Sequence, residues 1–104
     1  MYARMATYSH SGDAHDLARR AEQGILPIFQ GSPGFKSYSV AAGDGQILSF
    51  SVWDTRAEAE AGNEAAGAWV ADNMTGELDL VEVRFAEVLF STTLGVSTLA
   101  ATTA

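Results

Sequence analysis

The stretch from residue 32 to residue 55, SPGFKSYSVAAGDGQILSFSVWDT, constrains the fold of this chain more than any other. A Pro-Gly pair at 33–34 opens one extended run, and Gly-Asp-Gly at 43–45 reverses the chain into a second. Glycine and aspartate tolerate the positive φ that tight hairpin turns require. Directly afterwards, Thr55 and Glu58 have the spacing of a capping box, which marks the start of a helix. The stretch therefore predicts a β-hairpin that leads straight into a helix.

The two strands of this hairpin carry apolar side chains on both faces. In the first, Phe35 to Ala41, alternation places Phe35 on the face opposite to Tyr38 and Val40. In the second, Gln46 to Trp53, it sets Leu48, Phe50 and Val52 against Ile47, Ser49, Ser51 and Trp53. A sheet that is apolar on both sides has to be covered on both sides. We expect helices to cover one face and a partner to cover the other.

The segment before the hairpin predicts one strand and one helix. The run at 2–10 is rich in residues that favour strands, and Asp13 stands at the capping position of a first helix. Pro27 lies inside the apolar periodicity of this helix and cannot donate a backbone hydrogen bond. We therefore predict a break between Gly24 and Pro27, followed by one more turn that ends at Gly31.

The segment after the hairpin predicts a second helix from about Arg56 to Met74 and a last strand from about Leu80 to Phe90. The apolar alternation of this strand changes phase near Ala86, so either a bulge lies there or both faces are half-buried. The order β-α-β-β-α-β predicts an α+β, ferredoxin-like fold: a four-stranded antiparallel sheet with both helices on one face. We assign residues 1–90 to this single domain and expect residues 91–104 to form an arm or a disordered tail.

The balance of residue types excludes several classes of function. The 104 residues include 13 acidic and 6 basic side chains, a formal net charge of −7, which disfavours a nucleic-acid partner. The absence of cysteine excludes disulfides and thiolate ligands. The first residues lack the apolar core of a signal peptide, and no run is long enough to span a membrane. We therefore expect a soluble, cytoplasmic protein with no membrane partner.

Four pieces of the sequence together resemble a known family. They are the run ILPIFQGSPGFKSYSV, the Asp-Gly pair at 44–45, the strand end VWDT at 52–55, and the helical segment from Glu64 through AWVADNM. They resemble the antibiotic biosynthesis monooxygenase-like family of dimeric α/β-barrel proteins, over about residues 2–90. The resemblance implies a homodimer in which two sheets face one another to form a barrel. It also implies a ligand pocket between sheet and helices.

The resemblance leaves two functions open, because that family mixes enzymes with members of unknown role. One is an enzyme-like function, in which the protein binds a small hydrophobic or aromatic molecule and oxidises it with O₂ and no cofactor. The other is a non-catalytic ligand-binding or dimerisation module, in which side chains fill the pocket. An open or filled interior between the second helix and the sheet discriminates between them.

Asn63 and Trp69 are catalytic candidates on the second helix. They share a face with Gly62 and Ala66, whose small side chains either permit close packing or leave a cavity. The resemblance implies contact with a planar substrate, because an asparagine and a tryptophan have such a role in some monooxygenases of the family.

His10 is the third catalytic candidate, because an imidazole at a strand end can serve as acid or base near neutral pH. The alternative is a polar residue at the sheet edge. His15 is expected to be solvated. Neither histidine belongs to a cluster with the spacing of metal ligands, so we predict no metal site and no cofactor.

Tyr8, Tyr38 and Arg4 are candidate substrate-binding residues. If their faces point inward, they could bind a phenol or a carboxylate. The alternative for Arg4 is an ion pair with Glu82 or Glu87 on a neighbouring strand, or solvation.

Overall fold

The computed structural model describes residues 1–99, which form two helices and four strands. In chain order the elements are β1 (Tyr2–His10), α1 (Ala14–Gln30), β2 (Phe35–Gly43), β3 (Gln46–Trp53), α2 (Arg56–Asn73) and β4 (Leu78–Glu87). All neighbouring strands are antiparallel, in the order β2-β3-β1-β4. The predicted ferredoxin-like βαββαβ fold is therefore confirmed. The part of the predicted tail at 100–104 lies outside the described residues.

Both helices begin where their capping residues predict. The Asp13 carboxylate accepts a hydrogen bond from the Asp16 N–H at 3.2 Å, and the Thr55 hydroxyl accepts one from the Glu58 N–H at 3.2 Å. The Thr55 hydroxyl also donates to the Glu58 carboxylate at 3.0 Å. The strand β3 therefore passes into α2 through a single residue pair, Asp54 and Thr55.

The predicted break in the first helix is wrong. Helix α1 continues without interruption through Pro27 to Gln30. Proline removes only one backbone donor, whereas Ile25 and Phe29, on either side of it, are buried and hold the helix against the core. Gly31 ends the helix, as predicted.

Two bulges decide which side chains face the helices. The register between β2 and β3 shifts between Phe35 and Ser37, which leaves Lys36 as the extra residue and brings Phe35 and Tyr38 to the same face. The prediction that Phe35 opposes Tyr38 is therefore wrong.

The register between β1 and β4 also shifts, opposite Thr7 and Tyr8, and leaves Val81 as the extra residue. A bulge near Ala86 is one of two alternatives from the sequence, and the observed bulge lies earlier in the strand. The strand ends at Glu87 rather than at Phe90. A regular alternation of period two cannot locate such an insertion.

The core contains two tryptophan–glycine contacts. Trp53 of β3 is fully buried, with its ring centroid 5.0 Å from Phe29, and it covers Gly62 of α2. Trp69 of α2 covers Gly24 of α1 in the same way. Both glycines therefore let an indole approach a helix backbone closely. The small-residue patch on α2 is closely packed at Gly62, which was one of the two alternatives.

Replacing Gly62 with alanine is expected to destabilise the protein by about 1 to 3 kcal/mol, the usual cost of overpacking a core. The new Cβ would stand 2.3 Å from Cζ2 of Trp53. Gly67→Ala is the matched control in the same helix, because nothing lies within 4 Å of its new Cβ. The Gly67→Ala control should raise the free energy of unfolding by about 0.5 to 1 kcal/mol. Urea unfolding measures this free energy for both variants. A stabilised Gly62→Ala protein would contradict the contact with Trp53.

The sheet face away from the helices carries exposed apolar side chains. Met5, Leu48 and Phe50 are 37%, 47% and 39% exposed, and Met5 lies directly opposite Phe50 in the sheet. We call this set the outer patch. Within residues 1–99, neither helix combines the length and apolar content needed to cross a membrane.

Candidate functional site

Arg4 is the centre of a buried polar cluster between the sheet and the helices. Its side chain projects from β1 towards the helices, and the residue is 1% exposed. The guanidinium Nε donates to Oδ1 of Asn63 at 2.8 Å, and Nη1 donates to Oγ of Ser49 at 3.1 Å. Its carbon Cζ lies 5.9 Å from the ring centroid of Phe29. The cluster thus joins β1, β3 and α2 through one cation.

The alternatives for Arg4, an ion pair with Glu82 or Glu87 or solvation, are both wrong, because the residue is buried without an acidic partner among residues 1–99. Glu82 accepts a hydrogen bond from Arg84 at 2.7 Å on the exposed side of β4. No ion pair among residues 1–99 includes Glu87 or Arg4. Glu82 pairs with Thr7, on the sheet face opposite to Arg4, and Glu87 pairs with Tyr2 at the end of the strand, whereas Phe85 is the β4 residue opposite Arg4.

Two tyrosines complete the cluster. Tyr8 is buried and its hydroxyl contacts Arg4, while Tyr38 is partly buried and contacts Ser49. Burial raises the pKa of Tyr38, against the opposing effects of its hydrogen bond with Ser49 and of the Arg4 charge. Burial likewise lowers the pKa of Arg4, against the nearby tyrosines. The structure therefore brings together all three residues predicted to bind substrate.

A small cavity of about 20 Å³ adjoins this cluster. Arg4, Tyr8, Tyr38 and Ser49 supply its polar lining, and apolar side chains of α1, α2 and the sheet supply the rest. A volume of this size holds about one water molecule. A small-molecule ligand therefore cannot lie wholly inside this cavity in the conformation described.

A larger cleft lies outside the cavity, between α1 and β2. It has a volume of about 290 Å³ and is lined by Ala18, Glu22, Leu26, Tyr38 and Val40. Three of these residues, Ala18, Tyr38 and Val40, also line the cavity. The two spaces therefore adjoin at these three residues, which we call the α1–β2 seam. The inner cavity is mostly apolar, with a few convergent polar groups around Arg4, and the outer cleft has a mixed polar and apolar lining.

The three predicted catalytic residues lie in three different places. Asn63 holds Arg4 through its side-chain oxygen. Trp69 packs between the helices on Gly24 and does not line the cavity. The Nδ1 atom of His10 is buried and makes no hydrogen bond within residues 1–99. The catalytic roles of all three stay predictions.

Ser49 is the cluster residue that the sequence reasoning missed. It lies on β3 beside Ala6 of β1, on the face that carries Arg4, and its hydroxyl meets both Arg4 and Tyr38. The signal was a serine within a buried strand, because a buried hydroxyl needs a polar partner. Ser51 is a second serine in this buried strand, and its hydroxyl accepts a hydrogen bond from the indole N–H of Trp53 at 3.0 Å. Within the described residues, no group of three acidic or histidine side chains could hold a metal ion.

The fold and the buried cluster together define a small ferredoxin-like α+β protein with a polar site between sheet and helices. No family profile matches the sequence, and no curated protein matches it. Solved structures do match, and they share the fold of antibiotic biosynthesis monooxygenase proteins. The resemblance drawn from the sequence is thus confirmed at the level of the fold.

Three of these structures illustrate the likeness. A protein of unknown function from Nitrosomonas europaea has a TM-score of 0.71 and 17% identity, with 86% of this chain and 90% of that chain covered. SnoaB, a cofactor-independent oxygenase from Streptomyces nogalater solved as an asparagine-to-alanine variant, has a TM-score of 0.69 and 10% identity, with 88% and 96% covered. A second N. europaea protein, whose name suggests an antibiotic biosynthesis monooxygenase, has a TM-score of 0.67 and 18% identity, with 86% and 100% covered. At these identities the likeness establishes the fold alone.

Proposed function

We propose that this chain forms a homodimer through the outer patch and binds a small hydrophobic or aromatic molecule between α1 and the sheet. The observation that carries the proposal is the buried Arg4 cluster beside a cavity in an otherwise apolar interior. Ligand sites in proteins are mostly apolar, with a few convergent polar groups that fix orientation. The cavity has this character, and the adjoining cleft of about 290 Å³ approaches the lower end of the size range of ligand pockets.

We further propose that the bound molecule is oxidised by O₂ without a cofactor. The support is the fold shared with SnoaB, a cofactor-independent oxygenase. In such a reaction an anthrone loses a proton to give its enolate, which supplies electrons to O₂. One oxygen atom becomes the new carbonyl of the quinone, and the other leaves as water. The hydroxyls of Tyr8 and Tyr38 would hydrogen-bond the developing oxyanion in a site shielded from water.

The second candidate is a non-catalytic dimerisation module. Two observations favour it: Trp53 fills the space above Gly62, and the cavity measures only about 20 Å³. In this case the buried cluster serves only to fix the orientation of α2 on the sheet, and no ligand exchanges with solvent. Because the interior between α2 and the sheet is filled apart from this cavity, the oxygenase candidate requires the α1–β2 seam to open, and the dimerisation module does not.

Oxygen uptake with an anthrone or a hydroxyquinol distinguishes these candidates. With a chelator present, we expect the wild-type protein to raise uptake above the buffer rate. Tyr8→Phe should lower it by about tenfold or more, since it removes one oxyanion donor. Arg56→Gln, a change at an exposed arginine of α2, is the control and should leave uptake unchanged. Uptake at the buffer rate would reject the oxygenase.

The same assay tests the predicted catalytic residues. His10→Ala removes an imidazole whose Nδ1 has no hydrogen bond within residues 1–99. Trp69→Phe keeps an aromatic ring on Gly24. Uptake that neither substitution changes would exclude both residues from the active site.

A further inference from the structure

We infer that the cavity beside Arg4 is an oxyanion site, and that the ligand is a flat monoanion with a carboxylate or an ionised phenol or enol at one end. The inference rests on the proposed function, because it names the chemical class of the molecule that binds there. Its support comes from the distribution of charge in the chain and from the chemistry of the cavity lining.

The first support is that the one buried cation lacks the carboxylate that the other cations have. The chain contains 6 basic residues. All except Arg4 form ion pairs with acids, and these are Arg19, Arg20, Lys36, Arg56 and Arg84. Exposed ion pairs contribute little, whereas a buried charge costs several kcal/mol unless it is compensated. The basic residue without a carboxylate partner is therefore the one whose unpaired charge has the largest cost in free energy.

The second support is that every described polar partner of Arg4 is neutral. Asn63 and Ser49 accept hydrogen bonds from Nε and Nη1, and the Tyr8 hydroxyl contacts the guanidinium. An acid in any of these positions would neutralise the charge, and none lines the cavity. The positive charge is thus held rigidly by neutral groups next to a space of about 20 Å³.

The third support is the match between the cavity and a single oxygen group. A space for about one water molecule fits one terminal oxygen of a ligand. An ionised oxygen there would meet the guanidinium and the tyrosine hydroxyls, and charge-assisted hydrogen bonds of this kind are the strong ones. A neutral amide would gain less, and an ammonium group would be repelled by Arg4.

The outer cleft defines the other end of the ligand. Ala18, Tyr38 and Val40 line both spaces, so a ligand that spans them passes between α1 and β2 at these residues. The cleft of about 290 Å³ accommodates a flat ring system. Glu22 also lines this cleft and would repel a second negative charge there. A monoanion with its charge at the inner end therefore fits best.

A pair of ligands that differ in charge tests this inference on the wild-type protein. 2-Naphthoate and 2-naphthamide have nearly the same shape, but only the first is an anion at pH 7. Calorimetric titration should show that naphthoate binds about tenfold or more tightly than the amide, as expected for a hydrogen bond to a charged group. In NMR spectra, naphthoate should shift the Nε–H signal of Arg4 and leave that of Arg84 unchanged.

A matched pair of arginine variants provides a second test of the same inference. Arg4→Gln and Arg56→Gln each remove one positive charge, but only the first alters the cavity. Arg4→Gln should abolish the preference for naphthoate, and Arg56→Gln should retain it. If Arg4→Gln fails to fold by circular dichroism, the wild-type affinities and the Arg4 signal decide the question.

The possible failures are distinguishable. Equal affinity of the wild-type protein for acid and amide would overturn the oxyanion site and leave the proposed function standing. Binding of neither compound would overturn both. A preference for naphthoate that survives Arg4→Gln in a folded variant would overturn the assignment of the anion to Arg4.

Discussion

Replacing Trp53 with alanine is expected to lower the free energy of unfolding by about 3 to 5 kcal/mol, the usual cost of truncating a fully buried aromatic residue. Trp53 is fully buried, and its ring lies 5.0 Å from Phe29 and 5.5 Å from Phe35 between centroids. It also covers the backbone of α2 at Gly62. The indole therefore connects the end of the hairpin to both helices, and its loss leaves a cavity that all of these elements border.

Truncation also leaves a buried hydroxyl without its partner. The Trp53 indole N–H donates to Oγ of Ser51 at 3.0 Å, and Ser51 is itself fully buried. Trp53→Phe keeps an aromatic ring but loses this hydrogen bond and part of the indole volume, so its cost should be about 1 to 3 kcal/mol, below that of Trp53→Ala.

Urea unfolding followed by far-ultraviolet circular dichroism measures both Trp53 variants. Equal protein concentrations are needed, because association with a second copy would add to the apparent stability. Single domains unfold with only about 5 to 15 kcal/mol, so Trp53→Ala should shift the midpoint strongly. A loss below about 1 kcal/mol would mean that Trp53 is not central to the packing of the core.

The sequence predicts the fold well because its strongest signals are local. The Gly-Asp-Gly turn at 43–45 needs only the φ preferences of its residues, and the non-glycine residue with positive φ in residues 1–99 is Asp44. The caps at Asp13 and Thr55 likewise depend on neighbours three residues away. These signals fix the order of the elements, and the order fixes the topology.

The errors arise where a distant contact overrides a local pattern. Pro27 does not interrupt α1, because the buried side chains of Ile25 and Phe29 hold both sides of it. The bulges at Lys36 and Val81 depend on pairing with β3 and β1, which a single strand does not encode. Each error therefore concerns packing or register rather than the type of element.

The candidate site also combines residues that local patterns place correctly with contacts that depend on distant parts of the chain. Arg4 and Tyr8 share a face of β1 by simple alternation, so the sequence could place them together. Tyr38 joins them because the register aligns Tyr38 with Ser51 of β3, and Ser51 with Arg4 of β1. The register between Tyr38 and Ser51 follows without a break from the tight turn that pairs Gly43 with Gln46, so the hairpin signal could place Tyr38 as well. The contact of Asn63 with Arg4 depends on the rotation of α2 above the sheet, which no local pattern specifies.

The second large effect concerns the outer patch: Phe50→Lys is expected to convert the proposed homodimer into a folded monomer. Phe50 lies opposite Met5 in the sheet and beside Leu48, and these residues line a concave space of about 330 Å³. A facing copy would fill this space and cover all three side chains. A twofold interface buries the substituted residue twice, so the cost of an unpaired buried charge counts twice.

Lysine is the informative substitution at this position because no unpaired acidic side chain among residues 1–99 lies nearby to neutralise its charge. Arg84 lies on the same face across Met5, and Glu82 is already paired with Arg84. Ala68→Lys is the matched control, since Ala68 is exposed on α2, on the helix side of the sheet. It adds the same charge and should leave association unchanged.

Sedimentation equilibrium at micromolar concentration measures the outcome. The wild-type protein and Ala68→Lys should both have a mass near twice 11.0 kDa, and Phe50→Lys should have a mass near 11.0 kDa. Circular dichroism has to show that Phe50→Lys retains its fold, because an unfolded chain is also monomeric. A monomeric wild-type protein would refute the dimer. A Phe50→Lys dimer would move the interface away from this face, and the exposed apolar side chains of Met5, Leu48 and Phe50 would then need a different explanation.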